Sequence, residues 1–289
     1  MTVLHALAVW LHPVPSSPGR QRIAQEEHLS QSITQFSAGE LAVEIHRSPA
    51  ELGRAAAERA AGILREAVAQ RGTARIVVAT GNSQFAFTDE LAKQDVPWGH
   101  VTVFHMDEYV GIDASHPASF RRWVRECIEQ RLAPAAVEYI DGDAADAQAE
   151  CDRYEALLRA AELDLVCMGI GENGHLAFNE PFDADVDDPR WVRVIRLTDR
   201  SREQQVGEGH FPGLDAVPEA AITLTVPALL SARYVQVCVP EARKADAVAA
   251  ALYDEIDTAC PATALRRVPH ATLFLEPASA SRVRPAESA

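Results

Sequence analysis

Short apolar runs recur along this chain and alternate with longer segments of helical character. The runs predict strands at 41–46, 75–80, 101–105, 163–168, 192–197, 221–226, 234–239 and 272–275, with a short one at 137–140. Strands that are apolar throughout need cover on both faces, which is typical of parallel sheets between layers of helices. The alternation therefore predicts an α/β protein with a single domain, a Rossmann-like three-layer sandwich on a mainly parallel sheet.

The segment after residue 47 carries the clearest helix signals. Ser48, Pro49 and Glu51 occupy the N-cap, the first and the third position of a capping box, and Gly72 is placed to end the helix. Further helices are predicted at 84–94, 117–132, 143–162 and 241–253.

No shift in composition divides the chain internally, so one domain is predicted over residues 41–276. Residues 1–40 lack sustained periodicity and are expected to be a loosely ordered N-terminal extension. Residues 277–289 are expected to be a similar C-terminal tail.

Charge and cysteine content exclude several classes of partner. The formal net charge is −15, and no basic block offsets it, which argues against binding to nucleic acid or to an anionic membrane. No apolar run reaches the roughly 18 residues of a membrane span, and no basic segment at the start predicts a secretory signal. Five widely spaced cysteines without a C-x-x-C pair predict reduced thiols in a cytoplasmic protein. An anionic small substrate would need a local trap of N–H groups and cations.

Three polar loops follow predicted strands, at residues 79–84, 105–109 and 168–181. In sheets of this type ligands bind at the carboxyl ends of the strands. The three loops are therefore expected to meet in one site.

The third loop contains "GIGENGHLAFNEP", whose glycines match the spacing of a dinucleotide-binding turn. Such a turn must open a helix, but Pro181 and Pro189 interrupt the residues that follow, so that interpretation fails. The loop instead offers Asn173, His175 and Glu180, which suit a hydrogen-bonded proton relay. A histidine that caps backbone groups and a solvated glutamate are the alternative.

The second loop, "HMDEY", places Asp107 and Glu108 just beyond a strand. A buried carboxylate there suits a general base, because burial raises its pKa toward neutrality. Acidic residues also commonly end strands and cap the next helix, and that alternative is open on the residues alone.

The first loop, "TGNSQ", offers backbone N–H groups and the hydroxyls of Thr80 and Ser83, a plausible phosphate nest. It lacks the spacing of a nucleotide P-loop, and a simple capped turn is the alternative. Lys244, at the start of a helix that follows a strand, could add a cation, although a solvated surface lysine is the ordinary case.

Together these segments resemble the glucosamine-6-phosphate deaminase family, within the wider group that includes 6-phosphogluconolactonases. The resemblance covers roughly residues 41–276, and its most specific parts are "VFHMDEYVG" followed by "HPASF", and "GIGENGHLAFNEP". The "FNEP" portion separates the two groups, because phosphogluconolactonases resemble the first half of that motif and then typically continue with Ser-Leu-Phe. On this portion the chain is similar to the deaminases.

The resemblance implies conversion of glucosamine 6-phosphate to fructose 6-phosphate and ammonia by aldose–ketose isomerisation, without a metal or a redox cofactor. It implies that Asp107 is the enolisation base and that His175 opens the sugar ring. The residues that hold and tune the histidine, or that bind substrate and its phosphate, would be Asn173, Glu180, Thr80, Gly81, Asn82, Ser83, Glu108, Gly174 and Lys244. The partner is then a phosphorylated amino sugar, and a homo-oligomer is compatible with the family.

Several positions depart from the family pattern. Asn82 and Gln84 replace small and proline positions of the phosphate loop, but Asn82 tolerates a positive φ, so the nest is expected to survive. Asn173 stands where some members carry aspartate; asparagine can orient a histidine but cannot share its proton. A substrate-contacting arginine of some members has no clear counterpart, and Arg200 and Arg202 are the open choices.

Two other functions compete with deamination. A hydrolase of 6-phosphogluconolactone would use the same fold and phosphate site but needs no enolisation base. A non-catalytic sugar-phosphate sensor is the third hypothesis, although residues 1–40 resemble no DNA-binding segment. No activator site is evident, so allosteric regulation is not expected.

Overall fold

The chain is built on two β-sheets and the helices that cover them. A computed structural model describes residues 33–207, 209 and 211–284. The strands are β1 (Thr34–Ala38), β2 (Leu41–Ile45), β3 (Ala74–Val78), β4 (Val101–His105), β5 (Asp107–Tyr109), β6 (Ala136–Glu138), β7 (Leu165–Met168), β8 (Val192–Arg196), β9 (Ala220–Leu224), β10 (Tyr234–Val239) and β11 (Ala271–Leu275). The helices are α1 (Pro49–Arg71), α2 (Phe85–Leu91), α3 (Phe120–Val124), α4 (Gln130–Leu132), α5 (Ala147–Arg159), α6 (Asp199–Gly207), α7 (Val226–Leu230) and α8 (Ala245–Tyr253). A π-helical segment, Arg125–Glu129, joins α3 to α4.

The larger sheet has the order β1-β2-β11-β10-β7-β3-β4-β6. Every neighbouring pair in it is parallel except β1 with β2. The predicted α/β class with a mainly parallel sheet is therefore confirmed. Strands β10, β7, β3 and β4 lie side by side in the centre of this sheet, and their carboxyl ends lead into the polar segments.

Alternate residues of the central strands enter two different apolar clusters. Val77 and Val166 pack with the helix α5 side chains Tyr154 and Leu158. Residues from the opposite faces of the same strands pack in a second cluster with α1; they are Ile76, Val78, Leu165, Cys167, Leu52, Ala56, Ala60 and Leu64. Because successive strand residues point to opposite faces, the sheet is covered on both sides and forms the middle of three layers.

Helix α1 begins and ends as the sequence predicts. The Ser48 hydroxyl accepts a hydrogen bond from the Glu51 N–H, Pro49 occupies the first turn, and Gly72 closes the helix at φ 80°. A positive φ at this position favours glycine.

Two predicted strands belong to a different sheet. β8 and β9 pair antiparallel with each other, and β9 pairs antiparallel with β5, in a separate three-stranded sheet. Both segments were predicted as strands, but a separate antiparallel sheet was not predicted. The physical reason is visible in β8, where Val192 and Ile195 are buried but Val194 and Arg196 are exposed, a pattern suited to a sheet with one solvated face.

The predicted extension and tail contain defined structure where they are described. β1 lies within residues 1–40 and pairs with β2, whereas residues 1–32 lie outside the described part of the chain. In the tail, Ser279 is fully buried, and its N–H donates to the Glu276 carboxylate over 3.0 Å. Among the residues that the structure describes, no helix combines the length and apolarity needed to cross a membrane.

Candidate active site

The three predicted loops, together with the start of α8, surround one cleft at the carboxyl edge of the larger sheet. The predicted residues that line it are Thr80, Gly81, Asn82, Ser83, Asp107, His175 and Lys244. Asn173 and Glu180 lie behind His175 and contact it or each other. Glu108 and Gly174 do not line the cleft and have other roles, described below.

Strand pairing and a hydrogen bond to its carbonyl oxygen fix the backbone of Asp107. It is the first residue of β5, not a loop residue, and it pairs with Thr223 of β9. The buried His105 Nδ1 lies 2.9 Å from the Asp107 carbonyl, while its Nε2 accepts a hydrogen bond from the Ile140 N–H over 2.9 Å. Because Nε2 accepts, Nδ1 carries the proton and donates to Asp107. Burial lowers the pKa of His105 to about 3, so this imidazole is neutral and links the backbone groups of Asp107 and Ile140.

The carboxyl group of Asp107 has an unusual proton affinity. Asp107 is only 7% exposed, and burial raises the pKa of its carboxyl group to about 8. The neighbouring charge of Glu108 adds to the rise. A carboxylate that exchanges its proton near neutral pH is matched to general acid–base chemistry.

Glu108 caps a helix and does not face the cleft. Its carboxylate accepts hydrogen bonds from the Ser119 hydroxyl at 2.7 Å and from the Arg121 N–H at 2.8 Å, and also from the N–H groups of Tyr109 and Phe120. The Arg121 guanidinium adds an ion pair at 3.4 Å. All these donors come from its own strand and the start of α3, which is the contact pattern of the helix-capping alternative, and substrate binding by Glu108 stays a prediction.

The His175 loop is organised by side chains. His175 Nδ1 lies 2.7 Å from Asn173 Oδ1, and Asn173 Nδ2 donates to Glu180 Oε2 over 2.8 Å. An amide oxygen only accepts, so Nδ1 carries the proton and Nε2 is the ring nitrogen able to take one. Glu180 is 2% exposed and accepts a further bond from the Ser201 hydroxyl of α6.

Two glycines give this loop its shape. A Cβ on Gly171 would lie 2.2 Å from the His175 ring, so only glycine lets the imidazole lie against the backbone there. Gly174 has a φ of 85°, and a Cβ on it would lie 2.4 Å from Cys260 Sγ. Gly174 therefore permits the turn, and its predicted substrate-binding role stays a prediction.

The rest of "FNEP" anchors the loop to the small sheet. The buried Asn179 donates from Nδ2 to the carbonyl oxygens of Leu176 and Leu224, each over 2.8 Å. The Phe178 N–H donates to Thr223 Oγ1 over 3.1 Å. Since Thr223 also pairs with Asp107, strand β9 ties the two candidate catalytic segments together.

The first loop turns sharply after β3. Gly81 has a φ of 98°, and a single 3₁₀ turn, Asn82–Gln84, leads into α2. Lys244 is 6% exposed and lines the same cleft, next to Arg243. Arg243 forms an ion pair with Glu172 of the His175 loop at 3.1 Å. Arg243 and Lys244 thus bring two positive charges to the cleft of a protein with a strongly negative net charge.

Helix α6 contributes residues that sequence reasoning missed. Gln204 and Gln205 line the cleft, and Gln205 Oε1 accepts from the Tyr109 hydroxyl over 2.6 Å. Neither candidate for the substrate-contacting arginine, Arg200 or Arg202, is among the cleft-lining residues. Arg202 bonds to Asp199 and to nearby carbonyl oxygens, and Arg200 is exposed. Because α6 has no clear apolar stripe, no sequence signal identified its inner face. His105 and Arg243 were also missed, although both directly adjoin the motifs.

Metal-ligand geometry is absent from the described part of the chain: no three His, Cys, Asp or Glu side chains there cluster closely enough to hold an ion. What the cleft does contain is the carboxyl group of Asp107 and the imidazole of His175, together with a tight turn and two cations, Arg243 and Lys244.

Fold and cleft together define an α/β protein equipped for proton transfer on a small anionic molecule. More specifically, the chain belongs to the family of glucosamine-6-phosphate isomerases and 6-phosphogluconolactonases, whose model matches residues 47–274.

Individual relatives agree with this placement. A glucosamine-6-phosphate deaminase of Exiguobacterium sibiricum is 35% identical over 209 residues, covering 71% of this chain and 80% of the relative. One of Arthrobacter sp. (strain FB24) is 32% identical over 244 residues, covering 82% and 90%. The solved structure of a monomeric glucosamine-6-phosphate deaminase superposes with a TM-score of 0.77 at 27% identity, covering 83% of this chain and 98% of that one. A 6-phosphogluconolactonase of Shewanella baltica, 23% identical with a TM-score of 0.69 over 83% of this chain and all of its own, shares the fold.

Proposed function

We propose that this protein is a glucosamine-6-phosphate deaminase, which isomerises and deaminates its substrate to fructose 6-phosphate and ammonia. The observation that carries the proposal is the buried Asp107, whose pKa is raised to about 8, facing the same cleft as His175. Lactone hydrolysis needs no base at C2, whereas isomerisation does. Relatives at 32–35% identity carry the name of this activity.

The phosphate would bind between the first loop and the start of α8. The residues proposed to hold it are Thr80, Gly81, Asn82, Ser83 and Lys244, with Arg243 as a second cation. Cations lining a cleft of a chain with net charge −15 provide the local attraction that an anionic substrate needs. Anchoring the phosphate positions the reacting carbons, so that binding energy is used for orientation.

His175 would open the pyranose ring. Its Nε2 takes the proton of the C1 hydroxyl, the C1–O5 bond breaks, and the proton passes to O5 as the C1 aldehyde forms. Nδ1 keeps its own proton throughout and donates it in a hydrogen bond to Asn173 Oδ1, which leaves Nε2 as the basic nitrogen. Glu180 fixes the orientation of the Asn173 amide.

Asp107, as the carboxylate, would then remove the C2 proton of the open chain, and the C1 oxygen would take a proton from water, which leaves an enolamine with a C1 hydroxyl. The same carboxyl group returns its proton to C1 while the nitrogen releases one proton to water, which converts the C2 amine to an imine. Water adds at C2, and ammonia leaves to give the ketone. One water is consumed for each ammonia released, and Asp107 finishes with the protonation state in which it began.

The test is to incubate purified protein with glucosamine 6-phosphate and to measure ammonia and fructose 6-phosphate together. We expect equal amounts of both products from the wild type and loss of both in D107N. The competing lactonase would instead hydrolyse 6-phosphogluconolactone, with D107N retaining that activity. Folded wild-type protein that forms neither ammonia nor fructose 6-phosphate would exclude deamination.

A cytoplasmic location and a homo-oligomeric state stay predictions. The first is supported by the finding that all five cysteines are free thiols, as expected in a reducing compartment.

A further inference from the structure

Ser201 of α6 lies beside the carboxylate that supports His175. The serine is 3% exposed, and its hydroxyl donates to Glu180 Oε1. That same oxygen lies 3.6 Å from His175 Nδ1. The other oxygen, Oε2, accepts from Asn173 Nδ2.

This arrangement decides which group accepts the hydrogen bond from the Nδ1–H of His175. A separation of 3.6 Å is too long for a hydrogen bond, and Nδ1 instead lies 2.7 Å from the neutral amide oxygen of Asn173. A direct bond to a carboxylate would stabilise the charged imidazolium far more than a bond to an amide does. Ser201 occupies the oxygen that could make that bond.

The remaining charges around His175 make Glu180 the decisive anion. From the start of α8, Arg243 and Lys244 line the same cleft and repel a positive charge on the ring. From β5, Asp107 has a pKa of about 8 and is therefore mostly neutral at the pH values where an imidazole titrates. Glu172 of the same loop is engaged by Arg243.

We propose that Ser201 is a positioning residue: it holds Glu180 Oε1 away from His175 and so keeps the imidazole neutral with its proton on Nδ1. Only a neutral ring can take the C1 hydroxyl proton. The kinetic part of this inference rests on the proposed function, but the hydrogen-bond arrangement does not.

The arrangement can be tested without substrate by NMR titration of the ligand-free protein labelled at the histidine Cε1 carbons. The chain has ten histidines, so H175Q suffices to assign the His175 resonance. In S201A, Glu180 Oε1 becomes available to Nδ1, and we expect the midpoint of the His175 titration to rise by about one pH unit, a tenfold change in proton affinity. S201T keeps the hydroxyl and should keep the wild-type midpoint.

A matched control exists on the other side of the cleft. Ser119 makes the equivalent buried bond to Glu108 at 2.7 Å, so S119A removes a serine–carboxylate contact without touching the His175 relay. Its His175 midpoint should equal that of the wild type. In an E180Q background, S201A should no longer move the midpoint. If S201A does not fold, S201C, which replaces the hydroxyl by a weak donor, should give a smaller upward movement.

An unchanged His175 midpoint in folded S201A or S201C would overturn the proposal, whatever reaction the protein catalyses. If the protein deaminates glucosamine 6-phosphate, the kcat of S201A relative to wild type should fall about threefold or more further at pH 6 than at pH 9, because protonated His175 is inactive. An equal loss at both pH values would indicate a merely structural role and would also overturn it. Absence of deamination with a shifted midpoint would reject the function and retain the arrangement.

Discussion

The two halves of the cleft control protons in different ways. Asp107 lies on a strand, is held through its backbone by His105, and owes its raised pKa of about 8 mainly to burial. His175 lies on a loop and is oriented through side chains, by Asn173 and then Glu180. Exclusion of water sets the proton affinity of Asp107, whereas a hydrogen-bond network sets the orientation of His175.

Two of the buried glutamates, Glu108 and Glu180, sharpen the contrast. Glu108 receives several hydrogen bonds and completes a helix, without facing the cleft. Glu180 also receives donors, but one of them is the residue that orients His175. A buried carboxylate with satisfied hydrogen bonds is therefore structural or functional according to what its donors themselves contact.

The largest expected effect comes from removing the base. In D107N the side chain keeps its size but cannot accept the C2 proton, and we expect kcat/KM for deamination to fall about 1,000-fold. Ammonia release measures it, and thermal shift with glucosamine 6-phosphate checks that the variant still binds. A loss of less than tenfold would mean that burial of Asp107 serves the fold and not the reaction.

The pH dependence should report the same group. The ionised carboxylate is the active form and its pKa is raised to about 8, so kcat/KM should rise with pH by roughly tenfold per unit and level off above about 8. Initial rates between pH 6 and pH 9.5 measure this. A plateau already reached at pH 6 would contradict the dry environment assigned to Asp107.

The His175 half can be disturbed by one methyl group. In G171A the new Cβ would lie 2.2 Å from the imidazole, which must move, and we expect kcat to fall roughly 30-fold. The matched control is G62A in α1, where a Cβ meets nothing within 4 Å and helix propensity should improve slightly. Equal activity of the two variants would show that the position of the ring is not critical.

Glu108 should affect stability. In E108Q an NH₂ group replaces one carboxylate oxygen and faces a backbone N–H group, so a hydrogen bond is lost. We expect the free energy of unfolding to fall by about 2 kcal/mol in urea titrations. E126Q removes an exposed carboxylate that pairs with Arg122 and should cost less than about 0.5 kcal/mol. Comparable values for both would contradict the capping role.

The smallest expected effect tests the anion side of the cleft. K244M should raise KM for glucosamine 6-phosphate about tenfold, through loss of a buried cation near the phosphate, while kcat falls less. The chain has one other lysine, Lys93, which pairs with Glu90 on the surface, so K93M is a matched control with an unchanged KM. Steady-state kinetics of both variants decide whether binding and chemistry separate as proposed.

The mainly parallel sheet, the capped helix α1 and the convergence of three loops were all predictable, because each depends on local periodicity and on the rule that such loops meet at one edge of the sheet. The fate of strands β8 and β9 was not, since apolar content alone does not say with which strand a segment pairs. The inward residues of α6 were missed for a related reason: Gln204 and Gln205 face the cleft on a helix without an apolar stripe.

The sequence by itself determined which chemical groups stand at the strand ends, because motif order and loop position are local properties of the chain. Only the tertiary structure decided what those groups do. It buried Asp107 and thereby raised its pKa, turned Glu108 toward a helix and Gly174 toward Cys260, and brought Ser201 from a distant helix to Glu180. Proton affinity depends on solvent exclusion and on partners remote in sequence, and no motif encodes either.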